Sequence, residues 1–261
     1  MNPGSTPPGA DDPSCQSTRN PVVLLPGFVA NSTLTWQALA PLLRDQGYCL
    51  YTFDFGQAPY SGTLGGITAV EPGATEFAHF VDDVLARTGA TQVDLIGHSE
   101  GATMPFYYLT RLGGAAKVDR YIGIAPLYNG TSQWGLAGLI GQMYDSPAGP
   151  ALMNVCGACR DMVTGSAFLT DLAAHGDAAP TVQFTNIMTR YDQNATPYTT
   201  GMLAGSNVNN VVVQDLCDRD YSDHYQLTYS PTTLNVVLSA LDPNYSPSWG
   251  CELSLPIVGR P

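Results

Sequence analysis

The sequence predicts an α/β fold, a mostly parallel central sheet flanked by helices, and three observations carry that expectation. Short apolar runs alternate with amphipathic ones, glycine and proline punctuate the changes, and 261 residues at 44% apolar composition suffice for one domain with a sizeable core. Charged residues make up only 12% of the chain, which is the opposite of the charge-rich, apolar-poor composition of a disordered protein.

Val22–Leu25 is apolar throughout, as a fully buried strand is, and Pro26-Gly27 stops it. A helix is expected from about Thr33 to before Gly47, with Trp36, Leu39, Leu42 and Leu43 at helical spacing. Residues 49–53 form the next strand. After the glycine-rich loop 56–66, Thr75 can cap a helix that Gly89 closes and whose Phe77, Phe80, Val81, Val84 and Leu85 share one face. Residues 93–96 form a strand that runs directly into Gly97-His98-Ser99-Glu100-Gly101, then a helix to about Leu112 and a strand at 121–124. From Tyr128 to Pro180 the alternation fades into small residues, methionines and helix fragments, which reads as a helical cap or lid inserted over the sheet. The pattern returns with strands at 181–189 and 208–213 and a final helix at 231–241. Residues 1–14, rich in Pro, Gly, Ser and Asp, read as a flexible N-terminal arm, and 15–261 as a single domain with its insertion at about 128–180.

The pentapeptide 97–101 is a G-x-S-x-G pattern between an apolar strand and a helix. A serine on so sharp a turn has a strained backbone, so the residues two before and two after must be small to clear it. Ser99 is therefore the candidate nucleophile. A hydroxyl of this kind needs a base to take its proton and an acid to orient the base, and in this arrangement the chain order is serine, acid, histidine. His79 precedes Ser99 on a helix, His98 lies inside the turn and is expected to point away from Ser99, and His175 sits in the insertion before the last strands. His224, between the last strand and the last helix, is the candidate base. Ten aspartates lie between Ser99 and His224. Asp192 directly follows strand 181–189 at its carboxyl end, where open α/β sheets place their sites, and is the candidate acid. Asp215, Asp218, Asp220 and Asp223 share the histidine's own loop, and Asp223 would have to fold back to reach Nδ1.

Six cysteines allow fifteen pairings. Cys156 and Cys159 fit a structural bridge, a redox dithiol or half a zinc site; no second Cys/His pair stands at zinc-finger spacing, and the structural bridge is the preferred reading. Cys217 lies seven residues before His224, so a bridge to Cys251 would brace the loop that carries the base, and Cys15 would tie down the arm.

Pro21 to Gly27, Gly47 to Gly56, Val93 to Gly101, Thr189-Arg190-Tyr191-Asp192 with Thr196-Pro197-Tyr198, and Gln214 to Cys217 leading to His224 resemble the secreted class 2 lipases of actinobacteria and, more distantly, yeast lipase B. The likeness runs from about residue 15 to 242. It implies an α/β-hydrolase fold and a carboxylic ester hydrolase with Ser99, Asp192 and His224 as its triad, no cofactor, no metal, and bridges Cys15–Cys49, Cys156–Cys159 and Cys217–Cys251. The expected oxyanion donors are the backbone N–H groups of Phe28 and Glu100. Those lipases usually carry His-Gly-Thr where this chain has Pro26-Gly27-Phe28, so a hydroxyl donor is lost there while the backbone donor stays. Glu100 stands where glutamine is common. Its carboxyl group is open to three readings: an acid favoured by the helix dipole, an acceptor for nearby backbone, or a group that titrates in the site.

A net charge of −12, with Lys117 the only lysine, leaves no basic surface for nucleic acid. Neither a signal peptide nor an apolar run of 18 residues is present, so the chain reads as the mature part of a secreted protein without membrane insertion beyond transient contact with a lipid interface. The expected substrate is an ester or lipid and the expected state a monomer. Leu136, Leu139, Ile140 and Met143, with Trp134 and Tyr60, are candidate contacts for an acyl chain or aromatic group. Polyester hydrolysis and acyl transfer to an alcohol would use the same triad and are the alternatives; a non-catalytic binding protein is argued against by the intact set.

Overall fold

The computed structural model describes residues 4–175, 178–246 and 250–258. Six strands, β1 (Val22–Leu25), β2 (Leu50–Thr52), β3 (Val93–His98), β4 (Val118–Ile124), β5 (Gln183–Met188) and β6 (Val208–Val212), pair in the order β2-β1-β3-β4-β5-β6, each neighbouring pair parallel. Parallel neighbours need crossovers, and helices supply them on both faces of the sheet. These are α1 (Ser32–Thr35), α2 (Leu39–Asp45), α3 (Val70–Thr88), α4 (Glu100–Arg111), α5 (Ala137–Tyr144), α6 (Gly149–Val155), α7 (Gly157–Asp161), α8 (Ala167–His175), α9 (Val213–Leu216) and α10 (Pro231–Leu241).

The two-residue period of the strands divides the core. Val23, Leu25, Leu95, Tyr121 and Phe184 pack with Phe77, Val81 and Val84 of α3, with α4 and with α8. Val22, Leu24, Ile96, Ile122 and Ile187 point the other way, onto Leu39 and Leu43 of α2 and Leu234, Val237 and Leu238 of α10. The chain direction across the sheet reverses at β1, with β2 on one side and β3 on the other. The carboxyl ends of β1 and β3, in register at Leu25 and Gly97, therefore open on the crevice where such sheets bind ligands.

Three local expectations are corrected. The single helix from Thr33 is two short ones, because a continuous helix would need the Pro41 N–H for the Gln37 carbonyl and would set the ring against it. The helix expected to start at Thr75 starts at Val70, whose N–H donates to Asp161 Oδ2 at 2.9 Å. That cap comes from another helix, and Pro72 in the first turn lacks only a donor that would be orphaned anyway. The arm does not hang free over residues 4–14: the Asp11 N–H donates to the Leu50 carbonyl at 2.8 Å, and the Asp11 carboxylate takes the Thr52 N–H at 2.9 Å. Disulfides join Cys15 to Cys49, Cys156 to Cys159 and Cys217 to Cys251. No described helix is long and apolar enough to cross a membrane.

Phe77 tests this packing most simply, since it is fully buried on α3 with its ring edge-on to Tyr108 of α4 at 5.2 Å between centroids. Phe77→Ala is expected to lower the unfolding free energy by about 3–5 kcal/mol in a urea titration. A loss below about 1 kcal/mol would contradict the placement of α3 on the sheet.

Candidate functional site

Ser99 stands between β3 and α4 with φ 57° and ψ −122°, a conformation L-residues avoid. Its N–H donates to the Ile124 carbonyl at 2.8 Å, tying the turn to β4. Two glycines make the turn sterically feasible. A Cβ at Gly97 would lie 2.0 Å from the Gly101 carbonyl oxygen, and one at Gly101 would lie 2.1 Å from the Pro26 carbonyl oxygen.

The structure brings Ser99, His224 and Asp192 together across 125 residues of chain. His224 Nε2 is 2.9 Å from Ser99 Oγ, and His224 Nδ1 is 2.9 Å from each oxygen of Asp192. Asp192, after β5, also takes the N–H groups of Asn194 and Ala195 on Oδ1, at 2.9 and 2.6 Å, so its own turn fixes the carboxylate that faces His224. His224, after β6, is held from behind as well: its N–H donates to Gln193 Oε1 at 3.1 Å. Asp223 does not turn back toward Nδ1; its Oδ1 takes the Gln226 N–H at 2.8 Å.

His98 is a contributor that sequence reasoning missed. Its side chain does point away from Ser99, but its Nε2–H donates to the His224 carbonyl at 2.9 Å, and the two rings lie 4.8 Å apart. Burial, helped by the neighbouring His224, holds the His98 pKa down to about 3, so the ring is neutral. The only sequence signal was its place beside Ser99.

The Phe28 and Glu100 N–H groups donate to no other described residue, and Phe28 follows Gly27, where a Cβ would lie 2.9 Å from Ser99 Cβ. Two cavities meet at Ser99 and share Phe28, Asn194 and Tyr225. One, of about 230 Å³, is lined by His224, Thr35, Thr228 and Tyr229. The other, of about 480 Å³, is walled by Leu127, Ile140, Met143, Tyr144, Met162 and Val163 beside Glu100. Segment 128–180 thus supplies most of that wall. Leu136 and Leu139 stay exposed. Trp134 is 73% exposed with its Nε1–H on the Gln193 carbonyl, and the Tyr60 hydroxyl donates to the Val155 carbonyl; neither ring reaches these cavities. Among the described residues no group of His, Cys, Asp or Glu side chains is arranged to hold a metal ion.

A family model described as the alpha/beta hydrolase fold matches residues 20–144. The solved lipase B of Aspergillus fumigatus superposes with a TM-score of 0.69 at 17% identity, covering 94% of this chain and 57% of that one. The fold is that of the α/β hydrolases. Mature lipase BlEst2 of Bacillus licheniformis (TM-score 0.65, 15% identity, 92% of this chain and 99% of that one) and mouse alpha/beta hydrolase domain-containing protein 10 (0.56, 14%, 87% and 90%) share it. The present chain spans just over half the length of the Aspergillus lipase. Within this α/β-hydrolase sheet, β1, β3, β5 and β6 deliver Phe28, Ser99, Asp192 and His224 to one edge.

Gly101→Ala must push α4 away from β1 and is expected to cost about 1–3 kcal/mol in denaturant titration. Gly138→Ala, in a helix with nothing within 4 Å of the added carbon, is expected to gain about 0.5–1 kcal/mol. Equal effects at the two positions would contradict the tight approach at the Ser99 turn.

Proposed function

We propose that the protein is a secreted carboxylic ester hydrolase of the lipase or esterase type, with Ser99 as nucleophile, His224 as base and Asp192 as orienting acid. The observation that carries this reading is the unbroken chain of contacts from Ser99 Oγ through His224 to Asp192, each at 2.9 Å. Two of the structural relatives, the Aspergillus and Bacillus proteins, are lipases, which supports the class. Three disulfides suit an oxidising compartment outside the cell.

The reaction begins when Ser99 Oγ attacks the ester carbonyl carbon while His224 Nε2 takes the hydroxyl proton. Asp192, fixed by two backbone N–H groups, keeps the Nδ1–H tautomer and stabilises the imidazolium. The carbonyl oxygen gains charge next to the Phe28 and Glu100 N–H groups, which offer it hydrogen bonds. Collapse expels the alcohol, protonated by His224, and water then repeats the sequence on the acyl-enzyme. Since the leaving oxygen must meet His224, the smaller cavity takes the alcohol and the larger, apolar one takes the acyl chain. Residues 128–180 then act as a cap whose Ile140 and Met143 line the acyl side.

The test is hydrolysis of p-nitrophenyl esters. Ser99→Ala and Asp192→Asn are each expected to lower kcat by about 10⁴-fold or more, and Asp223→Asn by no more than a few fold. Near-normal rates with Asp192→Asn and none with Asp223→Asn would reverse the assignment of the acid.

A further inference from the structure

Glu100 is fully buried directly after Ser99, and neither carboxyl oxygen has a hydrogen-bond partner among the described residues. It stands in the first turn of α4, where the helix dipole favours an acid, but it accepts no hydrogen bond from described backbone. Its location is informative. A Cβ at Gly66 would lie 2.9 Å from Glu100 Oε2, 2.9 Å from the Gly27 carbonyl oxygen and 2.9 Å from Phe28 Cα, so the carboxyl group and the turn that carries the Phe28 N–H meet at Gly66. That contact is tied in: the Val29 N–H donates to the Gly65 carbonyl at 2.9 Å and the Gly65 N–H to the Ala30 carbonyl at 2.8 Å.

We propose that Glu100 is a positioning residue that works as an uncharged carboxylic acid, filling the space against Gly66 that sets the Phe28 N–H, and that its ionisation disables the site. The physical reason is the absence of any donor. A carboxylate sealed from water with no N–H or O–H to meet it is strongly disfavoured, and the neutral acid far less so. Once charged, the group would draw in water or backbone donors, and because the carboxyl group touches Gly66 and the Gly27–Phe28 turn together, admitting them there would shift the Phe28 N–H.

The surrounding charges all favour the neutral form or are spent elsewhere. Burial raises the Glu100 pKa well above its ordinary value, and Asp161 at the end of α7 raises it further. Asp161 is itself raised by burial and by Glu71 of α3, despite the Val70 N–H on its carboxylate and Arg160 beside it. Tyr144 of α5 and Tyr60 of the 56–66 loop are the other ionisable groups on that side, and turn 26–29 brings none. Across Ser99, His224 is engaged with Asp192.

Two measurements on wild type and Glu100→Gln test the proposal, which rests on the ester hydrolase reading. As pH rises past the ordinary glutamate range, the unfolded chain gives up its proton while the folded one keeps it. Wild type therefore loses stability with rising pH up to the folded pKa, and the isosteric amide does not share that loss. The melting-temperature advantage of Glu100→Gln is expected to widen by several degrees between about pH 5 and pH 9. A constant gap would overturn the uncharged state, whether or not the protein hydrolyses esters. For the positioning role, each protein's kcat at about pH 9.5 is divided by its own kcat at about pH 7, after Ser99→Ala has established the activity. The ratio is expected to fall at least threefold in wild type and not in Glu100→Gln, with KM nearly constant in both. Any other pattern, including parallel falls or flat curves in both, would overturn the hold on the turn while leaving the esterase reading intact.

Discussion

The left-handed backbone at Ser99 can persist only where its neighbours leave no alternative, and most of the site's construction serves that end. β1, β3 and α4 approach so closely at Gly97, Gly101 and Gly27 that no side chain fits between them. The Ser99 N–H is meanwhile spent on β4. The strain is of order 1–3 kcal/mol, well within what the packing of a domain this size can hold. What it achieves is geometric: Ser99 Oγ projects from the sheet edge, the Glu100 N–H begins a helix with nothing to bond, and the turn after β1 comes within contact of both.

The electrostatics are arranged around the contact of Asp192 with His224. His98, buried beside His224, stays neutral and spends its proton on the His224 carbonyl, and on the proposed reading Glu100 is neutral as well. On the proposed reaction, Asp192 is then the nearest fixed charge to the imidazolium that His224 becomes. The carboxylate is buried but not orphaned, because two backbone N–H groups replace water on one oxygen.

The succession of strands and helices, the elbow and the chain order of Ser99, Asp192 and His224 could be read from the sequence because each depends on local chemistry: apolar runs, small residues flanking a serine, an acid after a strand. The positions that escaped depend on contacts distant in sequence. No propensity at residue 70 reveals that Asp161 will cap α3, and nothing in His98 itself shows that its ring supports the loop of the base. Pro41 was a readable signal that the apolar spacing of Trp36 and Leu39 overrode. Trp134 and Tyr60, marked as substrate contacts for their size, instead bond backbone carbonyls away from the cavities, while smaller residues such as Met162 and Val163 form the wall. One carboxylate, that of Asp192, both holds its own turn through the Asn194 and Ala195 N–H groups and meets His224.

If this geometry makes Ser99 alone a strong nucleophile, labelling with a p-nitrophenyl alkylphosphonate will show it. The expected result is a burst of about one p-nitrophenolate per chain, a single phosphonylated peptide carrying Ser99, and no burst once Ser99 is replaced by alanine. Absence of a burst from the folded protein, or stoichiometric label on any other residue, would contradict it.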